Sequence, residues 1–262
     1  MAIYDSIGRG YAAFRRPEPR IASVIDAAIG DAHSVVNIGA GAGSYEPLAF
    51  SSPTRRVLAV EPSEVMIRQR PVTAAPCVMG TAEALPVETG SFDAAMTVLS
   101  AHHWSDPERG LREMVRVARK RVVMLTWVPP PDAPPFWLTE EYFPEILAYD
   151  RTIFPGADVL AAMLNRASGG RGLVRIAPVP IPHDCSDGFL CAYWRRPECY
   201  LDAGRRSAIS SFARIDAAGQ ERGLERLRAD LSSGRWADRN RDLLTLDALD
   251  VGYRIVCCEL AR

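Results

Sequence analysis

Apolar runs of strand length alternate with amphipathic helical stretches through the first half of the chain. Residues 34–39, 56–62, 77–79, 92–99 and 121–127 are apolar at nearly every position, the pattern of strands covered on both faces. Between them, 64–70 and 106–117 follow a helical period. In the second, Asp106 is placed to cap the N-terminus, Pro107 suits the first helical position, and Leu111, Met114, Val115 and Ala118 fall along one face. Strand, helix, strand in repetition predicts an α/β fold with a doubly wound parallel sheet.

The rhythm changes after Trp127. Residues 128–135, VPPPDAPP, are too rich in proline for a helix or a strand interior, and they lead into an aromatic stretch over 136–143 that reads as a lid on a loop. Helical period returns over 157–166, a sixth strand is expected over 173–181 and a seventh over 250–260. The mostly helical 186–249 then becomes an insertion between the last two strands. The expectation is a single domain: N-terminal lid helices over 1–32, a core over 33–127, the aromatic lid over 128–155, core again over 156–184, the helical insertion over 185–249 and the last strand over 250–262.

Charge narrows the partners. With 31 basic and 32 acidic residues the net charge is −1, and no basic block favours nucleic acid. The start of the chain lacks the charged and apolar regions of a secretory leader, and no apolar run approaches a bilayer span, so a cytoplasmic protein with no membrane partner is expected, as monomer or homodimer. The six cysteines show no paired C-x-x-C spacing and are read as reduced thiols, with zinc the alternative and no metal site assigned.

The candidate chemistry lies on one rim. The sequence GAGAGS at 39–44 follows the first strand, and its alternate glycines let the chain turn sharply and bring backbone N–H groups against a ligand. Glu61 ends the second strand 18 residues after Gly43, where an acid can accept hydrogen bonds from both hydroxyls of a ribose; as a bare turn residue it is also good helix-entry chemistry. If the strands hold, the glycine turn, Glu61, Thr81, residues 100–104 and Trp127 converge there. A nicotinamide dinucleotide and S-adenosylmethionine both carry the adenosine such a rim would take, and the G-x-G-x-G spacing suits the ligand without phosphate.

Four stretches in order sharpen the reading: VVNIGAGAGS at 35–44, VLAVEPSEVM at 57–66, GTAEALPVETGSFD at 80–93 and GLREMVRVA at 110–118. Over about residues 33–127 the chain resembles the class I S-adenosylmethionine-dependent methyltransferases, in the ubiquinone-biosynthesis-like, type 11 branch. The resemblance implies a Rossmann-like, seven-stranded sheet, mostly parallel with an antiparallel last strand. It implies S-adenosylmethionine as cofactor and S-adenosylhomocysteine as product. Asn37, Gly39, Ala40, Gly41 and Gly43 would line the methionine and ribose portions; Glu61 and Pro62 would meet the ribose. Met66, Thr81, Ala82 and Glu83 would surround the adenine, and Leu99 would offer its carbonyl to the ammonium. Tyr11 and Arg16, with Tyr4 and Arg15, resemble the segment that closes over the cofactor in many relatives, although the two arginines also suit a solvated helix end before Pro17.

Three positions depart from the family pattern. Asn37 stands where an acid is usual and Thr81 where an aspartate is common, so each keeps a hydrogen bond and loses a charge. Arg119, Lys120 and Arg121 replace a glycine pair before the fifth strand, which shortens a turn. On the acceptor side, His103 is the candidate base and His102 lies beside it; His183, next to Asp184, is a second candidate, and each histidine has the plainer reading of a structural hydrogen bonder. Phe136, Trp137, Tyr142 and Trp194 are expected to wall the acceptor. The expected activity is methyl transfer to a small-molecule acceptor, at oxygen, in specialised metabolism; peptide or nitrogen methylation is the alternative within the class. A nicotinamide-dependent oxidoreductase and a noncatalytic cofactor-binding scaffold are the alternatives outside it.

Overall fold

A computed structural model of the chain describes residues 10–46, 55–129 and 136–261. The strands are β1 Ser34–Ile38, β2 Arg56–Glu61, β3 Cys77–Met79, β4 Phe92–Val98, β5 Ala118–Trp127, β6 Gly172–Pro178, the two-residue β7 Ile181–Pro182 and β8 Ala248–Leu249, and β9 Tyr253–Leu260. Seven form one sheet in the order β3-β2-β1-β4-β5-β9-β6. β1 to β5 pair in parallel, and β9 runs antiparallel between β5 and β6, as expected.

The central strands are apolar because helices cover both faces: all five residues of β1 are buried, as are the first six of β4. β6 forms the far edge and alternates between partly buried and exposed positions, as a strand with one covered face should. The helix Pro107–Val117 starts as its sequence predicts, with Asp106 accepting from the Arg109 N–H at 2.9 Å. It passes directly into β5, so the turn at Arg119 to Arg121 has vanished and Arg119 instead pairs with Asp93.

Other boundaries moved for identifiable reasons. The expected sixth strand is split, because Pro178 and Pro180 remove ladder donors; Ile181–Pro182 pairs separately with Ala248–Leu249. The helix after β2 stops at Ile67, a single turn, as the chain approaches Pro71. A helix over Pro144–Ile153 was not expected from the sequence; it follows a five-residue turn, Leu138–Tyr142, within the lid segment.

The insertion shares an aromatic core with the lid segment, separate from the two clusters that cover the sheet, while its own Phe189, Cys191 and Trp194 pack with the sheet. Three residues expected in the acceptor wall belong to buried structure instead. Trp137 packs edge-on against Tyr142, Tyr200 and Trp236, and its indole N–H donates to the Trp194 carbonyl at 3.0 Å. The Tyr142 hydroxyl donates to Asp230 at 2.9 Å and accepts from Arg239. Trp194 is fully buried and donates to the Ile181 carbonyl at 2.9 Å. Their rings gain more from packing together than from facing a cavity. Trp137→Ala should therefore cost about 3–5 kcal/mol of stability, as large-to-small changes in cores do, and denaturant unfolding would show it. A variant as stable as the native chain would place Trp137 outside the core.

Candidate active site

β1 pairs with β2 on one side and β4 on the other, so the chain reverses direction across the sheet at β1 and leaves a crevice beyond the carboxyl ends of β1 and β4. A cleft of about 500 Å³ opens there. Its floor is the glycine turn. Gly39, Gly41 and Gly43 have φ of 64°, 54° and 88°, a conformation that L side chains rarely adopt. At Gly39 space is also lacking, since a Cβ would lie 1.9 Å from the Ser100 hydroxyl oxygen. Gly39 and Ala40 donate their N–H groups to the Val60 carbonyl, which fixes the turn to the end of β2.

Glu61 completes that connection. Its carboxylate is 4% exposed, with Oε2 accepting from the Gly41 N–H at 2.8 Å and Oε1 from the Ser63 N–H at 2.9 Å. One acid therefore holds the turn after β1 and the turn after β2 together at the wall of the cleft. Asn37 lies beneath, 3% exposed, and its Oδ1 is buried with no hydrogen-bond partner among the described residues.

Most of the residues expected around a cofactor meet here: Tyr11, Asn37, Gly39, Ala40, Gly41, Glu61, Pro62, Met66, Thr81, Ala82, Glu83 and Leu99 all line the cleft. Glu83 is engaged with the backbone, accepting from the Ser105 and Asp106 N–H groups. Two expected residues fall elsewhere. Gly43 turns away over Arg70 and Glu46, whose side chains lie 3.3 Å from where its Cβ would stand. Arg16 is exposed, because the chain is extended after the short helix Tyr11–Phe14 and successive side chains then point apart. Arg15 faces inward instead: its guanidinium pairs with Asp187 at 2.7 Å and donates to the Tyr11 hydroxyl. Tyr4 lies outside the described residues.

A second, smaller cavity of about 70 Å³ adjoins the cleft and shares Arg15 and Leu99 with it. Leu99 sits at φ 49°, the one non-glycine residue with positive φ among the described residues, at the point where the two spaces meet. Such strain at a junction between ligand spaces is typical of functional sites. Of the expected acceptor residues, Phe136 and His102 line this cavity. Trp127, Phe154, Phe189 and Tyr253 supply further rings, and Asp150 a carboxyl. Asp150 is 6% exposed, and burial pushes its carboxyl up to about 7. The sequence held a signal for it: Asp150 lies one turn after the buried Ile146 on the apolar side of its helix.

The rings of His102 and His103 lie 3.9 Å apart, tilted 50° to each other, on the turn after β4. His103 lines the cleft, and burial, aided by the charges of Arg214 and Arg15, lowers its imidazole to about 4. Burial also holds His102 well below the usual histidine range, and its Nδ1 has no hydrogen-bond partner among the described residues. His183 is not part of the site. It continues the β7–β8 ladder, its N–H donating to the Asp247 carbonyl at 2.9 Å with ring Nδ1 3.2 Å from the same oxygen, and it lines neither the cleft nor the ring-lined cavity.

Comparison with known proteins agrees with this arrangement. A family described as a methyltransferase domain matches residues 36–126. The uncharacterized methyltransferase YcgJ of Bacillus subtilis is 35% identical over 95 residues, 34% of this chain and 37% of that protein, so the match spans about a third of that relative's length. An uncharacterized methyltransferase of Mycobacterium tuberculosis is 36% identical over 92 residues, 34% of this chain and 36% of its own. Likeness extends further in a crystal structure from Anabaena variabilis, described as a methyltransferase from an antibiotic biosynthesis pathway. That protein is 36% identical with a TM-score of 0.84, over 93% of this chain and 98% of its own. Similar in sequence and fold along nearly its whole length, the chain belongs to the class I S-adenosylmethionine-dependent methyltransferases.

Proposed function

We propose that the protein methylates a hydroxyl oxygen of a small molecule with an apolar or aromatic body, in specialised metabolism. The observation that carries this reading is the ring-lined cavity that joins the cofactor cleft at Leu99. The cavity alone is small, but it opens at Arg15 and Leu99 into the cleft of about 500 Å³, and its ring lining suits an apolar body, which gains affinity by burying its surface there. The Anabaena protein's description adds the metabolic setting, since the two chains are 36% identical.

The cleft fits the cofactor on the donors and acceptors it presents. Asn37 Oδ1 is a buried acceptor that needs a donor, and the cofactor's ammonium supplies one. Glu61 is an acid at the strand end whose oxygens each accept more than one hydrogen bond, so it serves ribose hydroxyls while holding its two turns. Met66 and Ala82 give the adenine an apolar bed. When bound, the cofactor supplies an electrophilic methyl group on a positively charged sulfur. The protein's part is to orient the acceptor oxygen, exclude water and accept a proton. His103 is assigned the last role: its imidazole is neutral at pH 7 and faces the cleft.

S-adenosylhomocysteine should raise the melting temperature of the native protein, and Glu61→Ala should weaken its binding by about ten- to a hundredfold through loss of hydrogen bonds to a charged group. Calorimetric titration reads this directly, and unchanged affinity would leave Glu61 as a turn residue only. Once an acceptor is in hand, His103→Ala should lower kcat by about a hundredfold. The base must be neutral to act and its folded-state pKa is about 4. At saturating acceptor, the native kcat should therefore stay level as pH falls from 8 to near 5 and be lost only as pH drops through about 4. Near-native turnover in His103→Ala would remove it as the base.

A further inference from the structure

We propose that the acceptor carries a basic amine, held as an ammonium ion by the carboxylate of Asp150 and the surrounding rings, at the opposite end from the hydroxyl that is methylated. This rests on the reading of the ring-lined cavity as the acceptor site. Asp150 is 6% exposed and projects from the helix Pro144–Ile153 into that cavity. Among the described residues its carboxyl makes no hydrogen bond and no ion pair; only its backbone carbonyl is used, by the Phe154 N–H at 2.9 Å. A buried acid left in that state costs stability unless something else supplies the missing partner.

Nothing else lining the cavity does so. Arg15 is the cation there, and its guanidinium is already matched by Asp187, which is fully buried and bonded in addition to the Tyr45 hydroxyl at 2.9 Å. His102 is kept neutral by burial, as is its neighbour His103. Arg214 borders the narrow gap next to Asp150, but its guanidinium lies over the Tyr149 ring at 5.3 Å and makes no ion pair with the acid, so among the described residues no cation pairs with Asp150. The walls are of the kind that receive one: Trp127 meets Phe154 edge-on at 5.3 Å, and Phe189 meets Tyr253 at 4.7 Å. Ring faces attract a desolvated ammonium, and a carboxylate among rings is the usual chemistry of amine recognition. The narrow gap of about 10 Å³ directly between Asp150 and His103 has room for no more than a water; the path from the acid to the cleft that His103 lines runs instead past Arg15 and Leu99, which border both spaces.

The raised carboxyl of Asp150 agrees with this placement, since it records how poorly the unfilled cavity supports a negative charge. An arriving ammonium ion reverses that balance.

The test uses two probes of the same ring and hydroxyl, tyramine with its amine and 4-ethylphenol without it, titrated calorimetrically into the full chain saturated with S-adenosylhomocysteine. The native protein should bind tyramine at least about tenfold more tightly, the worth of a charge-assisted contact in a dry site. Asp150→Asn should bring the two probes to within about threefold while S-adenosylhomocysteine affinity is unchanged. Its unchanged affinity also reports that the variant is folded. Equal binding of the two probes by the native protein overturns the proposal, as does absence of binding by both while S-adenosylhomocysteine binds. Retained preference in a folded Asp150→Asn overturns the role of that residue. Failure to bind S-adenosylhomocysteine at all is a different result and would strike the cofactor reading instead.

Discussion

Everything at the cofactor end is referred to one carboxylate. Glu61 closes β2, takes an N–H from the glycine turn behind β1 and another from the turn that opens the next helix, and remains at the cleft wall. A parallel sheet brings strand ends side by side but leaves the loops above them unconnected; a buried acid bonded to both loops gives them one geometry. The positive φ of the glycines is what allows Gly41 to reach it. Loss of the acid would leave the Gly41 and Ser63 N–H groups without this acceptor, so it loosens both turns as well as removing any contact to a ligand.

The other end of the site is arranged by contrast. Arg15, Asp187 and Tyr45 form a closed set of charges and hydrogen bonds that joins the N-terminal segment to the insertion across 172 residues of sequence. Glu18 strengthens the same junction by accepting from the Ser186 N–H. These groups satisfy one another. Asp150, on the far side of the smaller cavity, is satisfied by none of the described residues, and the difference between the two acids is what gives the cavity its polarity.

The sheet was legible because its signals are local. Apolar runs bounded by glycine and proline fix strands, and the cap at Asp106 with Pro107 fixes a helix start, without reference to the rest of the chain. The cofactor rim followed, since topology puts strand ends together. The acceptor side was not legible in the same way. Trp137, Tyr142 and Trp194 are apolar and aromatic whether they line a cavity or fill a core, and only packing against Tyr200 and Trp236 decides between the two. Arg15 and Arg16 differ by which way an extended backbone faces, a matter of one residue of register. His183 beside Asp184 looked like an oriented base, but the β7–β8 ladder directs it to Asp247.

The aromatic core that the insertion shares with the lid bears on how such a protein changes over generations. Its rings are anchored mostly to one another, while the sheet is covered by two other clusters. Substitutions confined to that core are therefore absorbed away from the strand ends, whereas changes at Asp187, Phe189 or Trp194 reach Tyr45 and the sheet directly. Descent with altered substrate and retained methyl donor is then the mechanically cheap route, one in which new chemistry is acquired by rewriting a lid and not a fold.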